Sequence, residues 1–325
     1  MNIVQILRLL SLSALVQSFP HIERVKRDEV GNNVLTTTNL TSLKARGQDI
    51  PDVIRVEIIM NGRPLPSPEN YFLSAIDEIV GLSDKSFTAR IDNYDSGPGL
   101  VRVRGGPYYV VAFAIWGIQR AMEILYEENN YRAVLCKQLV RQTIIGHIYV
   151  GSITGEGDRA DESEVALPNN NDPRDAAAMD ALVASLNSVP AHELSRRNTE
   201  IFWVMWPTQG GVGFRGVSIL LAVLRAQVVF AKTDVSKSIV EETVTDEELG
   251  IRIQCFVIGP ESAQIHISYL MDRLGYIVTH MQETNQYQEW EGYWYTKDEE
   301  SGYLQTQAKL VISEVIASTP PGVAA

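Results

Sequence analysis

Histidine, cysteine and basic charge are what this chain has least of, and each shortage removes a class of function. The five histidines, His21, His147, His192, His266 and His280, show no H-E-x-x-H or comparable ligand spacing, so no metal site is expected. No G-x-S-x-G occurs, which removes the hydrolase nucleophile elbow, and no scattered Ser, His and Asp single themselves out as a triad. With Lys+Arg 28 against Asp+Glu 40, the net charge is -12. That sign repels a phosphate backbone, so nucleic acid is not an expected partner. No apolar run reaches the roughly 20 residues that a membrane-crossing helix needs. Residues 108–118 end at Gln119-Arg120, and the run after Val217 carries Arg225. No membrane insertion is expected, and the mature protein reads as soluble. The two cysteines, Cys136 and Cys255, fall one in each half, both inside predicted strands. In an oxidising compartment an even count permits a disulfide, while a strand setting also suits two buried free thiols.

What is there in quantity is core: 325 residues at 45% hydrophobic and 21% charged supply one large or two medium domains. The N-terminus carries the clearest short signal. Residues 9–16 are mostly apolar, Arg8 supplies a basic flank, and the residues around Ser18 suit signal-peptidase cleavage, so 1–18 resemble a secretory signal peptide. Lys26-Arg27 follows as a site for a kexin-type processing protease, making 19–27 a short pro-segment. Asn39-Leu40-Thr41 is a glycosylation sequon within a polar arm at 28–50. Together these three give a secreted, extracellular address, with a fungus as the source the dibasic site suggests.

Ordered structure is expected to begin near Val53. A first α+β half (51–151) reads as a strand at 53–60, a helix opened by Pro68, short strands at 87–91 and 100–103, a long buried helix at 108–128, and strands at 133–140 and 143–150. Residues 152–198 are rich in Gly, Asp, Glu, Asn and Pro and read as an acidic flexible surface linker with at most a short helix near 175–186. Arg196-Arg197 at its far end is a second dibasic site. A cut there would leave two associated chains, whereas an uncut exposed pair is the simpler alternative. A second half (199–318) supplies a long helix after Gly216, a polar break at 233–248, a strand at 251–258, a helix opened by Pro260 and stopped by Gly275, strands at 276–281 and 289–296, and an element at 303–316 that is either helix or strand. A short tail (319–325) ends the chain. The fold class is therefore α+β: two related halves with long buried helices packed on mixed β-sheet.

An echo between the halves suggests internal duplication. Ile54-Arg55-Val56-Glu57, Gly62, Pro68-Glu69 and Gly81 rhyme with Ile251-Arg252-Ile253-Gln254, Gly259, Pro260-Glu261 and Gly275. Strand-to-helix grammar alone could produce the same rhyme. If duplication holds, the two sheets could join into one platform. Gly211, Gly213 and Gly216 also spell G-x-G-x-x-G. Four residues separate that motif from the preceding apolar run, and the segment after it reads as a single helix, so a loop before a core helix is expected and no cofactor.

The best candidate surface is residues 287–295, YQEWEGYWY. Alternation places Tyr287, Glu289, Glu291, Tyr293 and Tyr295 on one face and Trp290 with Trp294 on the other. Aromatics beside carboxylates suit a sugar, with Trp290 and Trp294 as stacking candidates and Glu289 and Glu291 as hydroxyl acceptors. The plainer alternative packs both tryptophans in the core. The functional expectation is a secreted, non-enzymatic protein that binds a protein or glycan. The alternative is a secreted hydrolase acting on glycans through Glu289 and Glu291, although two carboxylates of one strand are poorly placed across a scissile bond.

Overall fold

The computed structural model describes residues 54–97, 99–129, 131–140, 143–151, 177, 181, 201–233, 239, 241–258, 265–297 and 304–315, all within one compact unit. The leader, Lys26-Arg27, Asn39 and Arg196-Arg197 lie outside them. Nine strands and four helices are named among the described residues: β1 (Ile54–Pro64), α1 (Pro68–Ser83), β2 (Val101–Gly105), α2 (Val111–Glu127), β3 (Arg132–Val140), β4 (Thr143–Val150), β5 (Ile201–Pro207), α3 (Gly216–Ala231), β6 (Glu241–Asp246), β7 (Ile251–Val257), α4 (Ile267–Thr284), β8 (Trp290–Lys297) and β9 (Leu304–Glu314). They form two sheets, ordered β1-β3-β4-β2 and β5-β8-β9-β7-β6. The class is α+β, with one sheet and two helices in each half.

Every pairing is antiparallel, so the expected mixed sheet is corrected. The local cause is the short link between β3 and β4 and between β8 and β9, which folds each pair back on itself as a hairpin. The sheets also stay separate, so no continuous platform forms, because the helices pack between them. Val111 through Leu125 of α2 are all buried, and α3 is buried along nearly its whole length. Helices with so little polar surface need cover on all sides. One core runs through both halves, with α1 packed most extensively on α3, and with α1 on α4 matched by α2 on α3.

The two halves share one topology. Replacing β5, β7, β8 and β9 by β1, β2, β3 and β4 turns the second order into the first, with β6 added at the far edge. The helices then correspond as α1 with α3 and α2 with α4. These are not the pairs in the sequence echo, which set β1 beside β7, and the helix of Pro68 beside that of Pro260.

Three local expectations fail. Residues 87–91 form a turn held to the first turn of α2 by Ala112 N–H to the Phe87 carbonyl (2.9 Å) and Val111 N–H to the Ala89 carbonyl (3.0 Å), with a single isolated bridge from Arg90 to Val110 in place of a strand. The polar break contains β6, an edge strand whose exposed positions alternate with half-buried ones. Residues 276–281 belong to α4, which runs straight through Gly275. An added β-carbon there would sit at ordinary contact distance, 3.8 Å, from Ile76 of α1, so Gly275 is simply tolerated within the helix and is not a stop. The element at 303–316 resolves as strand β9.

Candidate functional site

The alternation expected for residues 287–295 is present, and it divides the candidate residues. Trp290 and Trp294 point inward at 2% and 1% exposed, so their assignment as glycan-stacking residues is corrected. Trp203 of β5 lies 4.5 Å from Trp294 between ring centroids, and a β-carbon on Gly292 would run into the Trp203 ring. The His280 ring of α4 meets Trp290 edge-on at 5.3 Å. These tryptophans join sheet to helices, where burial of such large rings contributes most.

The outward face is different in kind. On β5 the register places Val204 beside Tyr293 and Trp206 beside Glu291, and on β9 it places Lys309 opposite Tyr293. Trp206 stacks on Tyr293 at 5.0 Å and 17°, and Tyr295 follows at 6.4 Å and 28°. The Lys309 ammonium sits over the Tyr293 ring at 5.2 Å and 2.8 Å from the Glu291 carboxylate, which also accepts the Tyr293 hydroxyl at 3.0 Å. Val204 and Trp206 remain 45% and 39% exposed.

Electrostatics settle what the two glutamates can do. The Lys309 hydrogen bond, aided by the Tyr293 hydroxyl and opposed by partial burial, holds the Glu291 carboxyl below its ordinary range. Burial pulls Lys309 down, yet its contacts with Glu291 and Tyr293 prevail and raise it. Both stay charged near neutral pH. Glu289 accepts the backbone N–H of Glu314 at 2.8 Å. General acid catalysis needs a carboxyl that keeps its proton, which Glu291 does not.

The glycine-rich turn is committed to packing. A β-carbon on Gly216 would meet the Tyr287 ring at 3.0 Å, and one on Gly211 would meet the Glu289 side chain at 2.9 Å. The Phe214 N–H donates to the Tyr287 carbonyl at 2.6 Å and the Gly211 N–H to Thr208 at 3.0 Å. The turn passes over the start of β8, and that close packing accounts for Gly211 and Gly216.

Cys136 in β3 and Cys255 in β7 are free and buried, in separate sheets, so the bridge weighed from the sequence is not made. Among the described residues no group of His, Cys, Asp and Glu is set to hold a metal, and no helix is long and apolar enough to cross a membrane. Trp206 and Lys309 were not singled out from sequence. Their signal is the alternation within β5 and β9, but only the pairing of both with β8 brings them to Tyr293. Comparison with known proteins gives no match: no family model, no curated protein and no solved structure is significantly similar to the chain.

Proposed function

We propose that this chain is a secreted, soluble binding protein whose contact surface is the outer face of the second sheet. The observation that carries the reading is exposed Val204 and Trp206 set against half-buried Tyr293 and Tyr295 beside the Glu291–Lys309 pair. Trp and Tyr next to a charged pair is the composition of protein-interface hot spots. Trp206 and Lys309 approach Tyr293 from opposite neighbouring strands, so neither face of its ring is left for a sugar to stack on. That favours a protein partner over a glycan. Committed carboxylates at Glu289 and Glu291 favour binding over glycan hydrolysis.

The secretory address rests on the leader, the Lys26-Arg27 site and the Asn39 sequon, all read from sequence. Processing at Arg196-Arg197 into two associated chains is compatible with strand pairings that never cross between halves. Internal duplication is supported by the shared topology of the two halves.

A photo-crosslinking residue at position 206, with one at Thr243 as control, tests the surface on target cells. The expected result is a discrete protein adduct from position 206, absent from position 243 and competed by unlabelled protein but not by its Trp206→Ala variant. A specific glycan-array signal lost in Trp206→Ala would transfer the assignment to sugars. Product release from a polysaccharide, abolished by Glu291→Gln, would overturn the binding reading.

A further inference from the structure

The two sheets end in β1 and β2 on one side of the molecule's topology and in β5 and β6 on the other. A sheet edge offers unpaired N–H and C=O groups to any further strand, and proteins ordinarily blunt it with charge or cover it. β1 carries Arg55 and Glu57, and β6 carries Glu241, Glu242 and Asp246. β2 is covered along its outer side, where Gly105 N–H donates to the Tyr94 carbonyl (2.8 Å) and Ser96 N–H to the Val103 carbonyl (3.0 Å). β5, with the sequence IFWVMWP, carries no charge, and among the described residues only β8 pairs with it. Its Val204 and Trp206 are exposed on the outer face, and Trp203 and Met205 on the inner face are only half-buried.

We propose that β5 is a dimerisation edge, which pairs antiparallel with β5 of a second copy of this chain, two-fold about Val204. Backbone geometry sets the register. Thr208 N–H donates to the Glu289 carbonyl at 2.9 Å, and the β5–β8 register runs unshifted from there, so the N–H and C=O groups of Val204 and Trp206 also face β8. Those of residues 201, 203, 205 and 207 therefore point to the open edge. With Val204 on the axis, Trp203 lies opposite Met205 of the copy and residue 201 opposite Pro207 of the copy, so every outward N–H of the strand meets a carbonyl. Pro207, which has no N–H, falls at the end of this ladder and leaves only the carbonyl of residue 201 to water. No other centre overlaps the whole strand. A chargeless strand is also where two chains of net charge -12 can meet without like charges in register. The pairing is isologous, as a closed two-fold dimer requires. It joins the two outer faces, with Val204 of each copy at the centre and a Trp206 on either side. Because it uses the strand edge, the inference stands whether or not that outer face binds a further protein.

Sedimentation velocity of the purified full chain, with no other protein present, tests the assignment. A concentration-dependent dimer is expected in the micromolar range. Val204→Lys sets two ammonium groups opposite each other and should weaken dimerisation about tenfold or more, while Thr243→Lys on the exposed β6 edge leaves it unchanged. Position 204 is a non-hydrogen-bonded site of the new pair, where Cα atoms approach to about 4.5 Å, within disulfide range. Val204→Cys should therefore give a covalent dimer on mild oxidation that reduction reverses, and Thr243→Cys should not. This second variant reads the pairing even if Val204→Lys fails to fold. A monomer at every concentration, a dimer indifferent to Val204→Lys, or a crosslink no stronger from position 204 than from position 243 would overturn the proposal. None of these results bears on adducts formed with target cells, so failure here is distinct from failure of the binding reading.

Discussion

Arg225 is a largely buried charged side chain that ties the two halves together, and its removal has a calculable effect. From α3 it reaches Glu123 of α2 at 3.1 Å, Asp246 at the end of β6 at 2.8 Å and Glu248 at 3.1 Å, while its own side chain is 14% exposed. Burial works against its charge, but the Asp246 hydrogen bond and the Glu123, Asp246 and Glu248 charges prevail and raise its pKa. Arg225→Met keeps the apolar stem and deletes the guanidinium, leaving Glu123 and Asp246 in place at 8% and 9% exposure. Glu123 retains the Gln119 amide at 2.9 Å and Arg120 at 3.5 Å, and Asp246 retains the Leu249 N–H at 3.1 Å. Breaking a buried pair costs roughly 3–5 kcal/mol, and these remaining partners place the expected loss near the lower end, about 3 kcal/mol. At roughly 2–4 °C per kcal/mol for a chain of this size, Tm falls by about 6–12 °C. Denaturant titration of Arg225→Met, Glu123→Met and the double variant measures the coupling, expected at about 1 kcal/mol or more. A loss below about 1 kcal/mol would mean the network behaves like exposed surface pairs, and the reasoning fails.

Burial first, then the Lys137 and Arg104 charges, hold His147 down at about 4 against an ordinary 6.5. It is neutral in the fold and protonates in the unfolded chain, so its contribution is complete above pH 6.5 and is lost as pH falls toward 4. That gap corresponds to roughly 3 kcal/mol at most. His147→Gln should flatten the stability decline across this window in urea titrations, and an unchanged decline would show that the ring is not buried neutral. Gly292→Ala would drive a methyl into the Trp203 ring, and the expected loss is about 1–3 kcal/mol by thermal or chemical denaturation; a neutral result would refute that packing. Burial pushes the Cys136 and Cys255 thiols up to about 12. Both should resist thiol reagents in the folded protein and react after denaturation, and a mass deficit of two hydrogens that disappears on reduction would contradict the free thiols. Protease nicking at Arg196-Arg197 should leave the halves co-eluting at native pH, because Tyr126–Ser218 (3.0 Å), Arg215–Asn129 (3.0 Å) and Arg225–Glu123 link them besides the shared core; separation on a sizing column would refute this.

Legibility in the sequence followed burial. α2 and α3 announce themselves because nearly every position is apolar, and the faces of β8 follow from the alternation of inward Trp290, Gly292 and Trp294 with outward Glu291 and Tyr293. α4 is harder to read because Gly275 looks like a stop, although the helix continues through it from Ile267 to Thr284. β6, EETVTD, has no strongly apolar face and is a strand only because β7 offers its edge. β9 stayed ambiguous until pairing showed Ala308, Leu310 and Ile312 inward, with Lys309 half-buried on the other side. The site was half legible: its glutamates and tyrosines were on the page, but Trp206 lies more than eighty positions before Tyr293 in sequence and reaches it only across the β5–β8 pairing.

The sequence echo and the topology disagree about which elements correspond, and the helices explain why. A strand followed by a proline-opened helix recurs wherever chains turn that way, so similarity of that kind survives between elements that are not equivalent. Elements matched by topology differ in sequence because they meet different neighbours. α3 is apolar almost all round, whereas α1 keeps Glu78 for the Tyr94 hydroxyl at 2.9 Å and half-exposes other polar positions. The outer faces diverge further, with Leu135 and Leu139 buried on one sheet and Glu291, Tyr293 and Lys309 only half-buried on the other. What the halves keep in common is the demand that each supply a sheet to cover helices the other half cannot leave wet. Either half alone would expose the buried faces of α1 and α2 or of α3 and α4, an apolar area far larger than a soluble monomer ordinarily shows. The two halves are thus separable in strand pairing and inseparable in core.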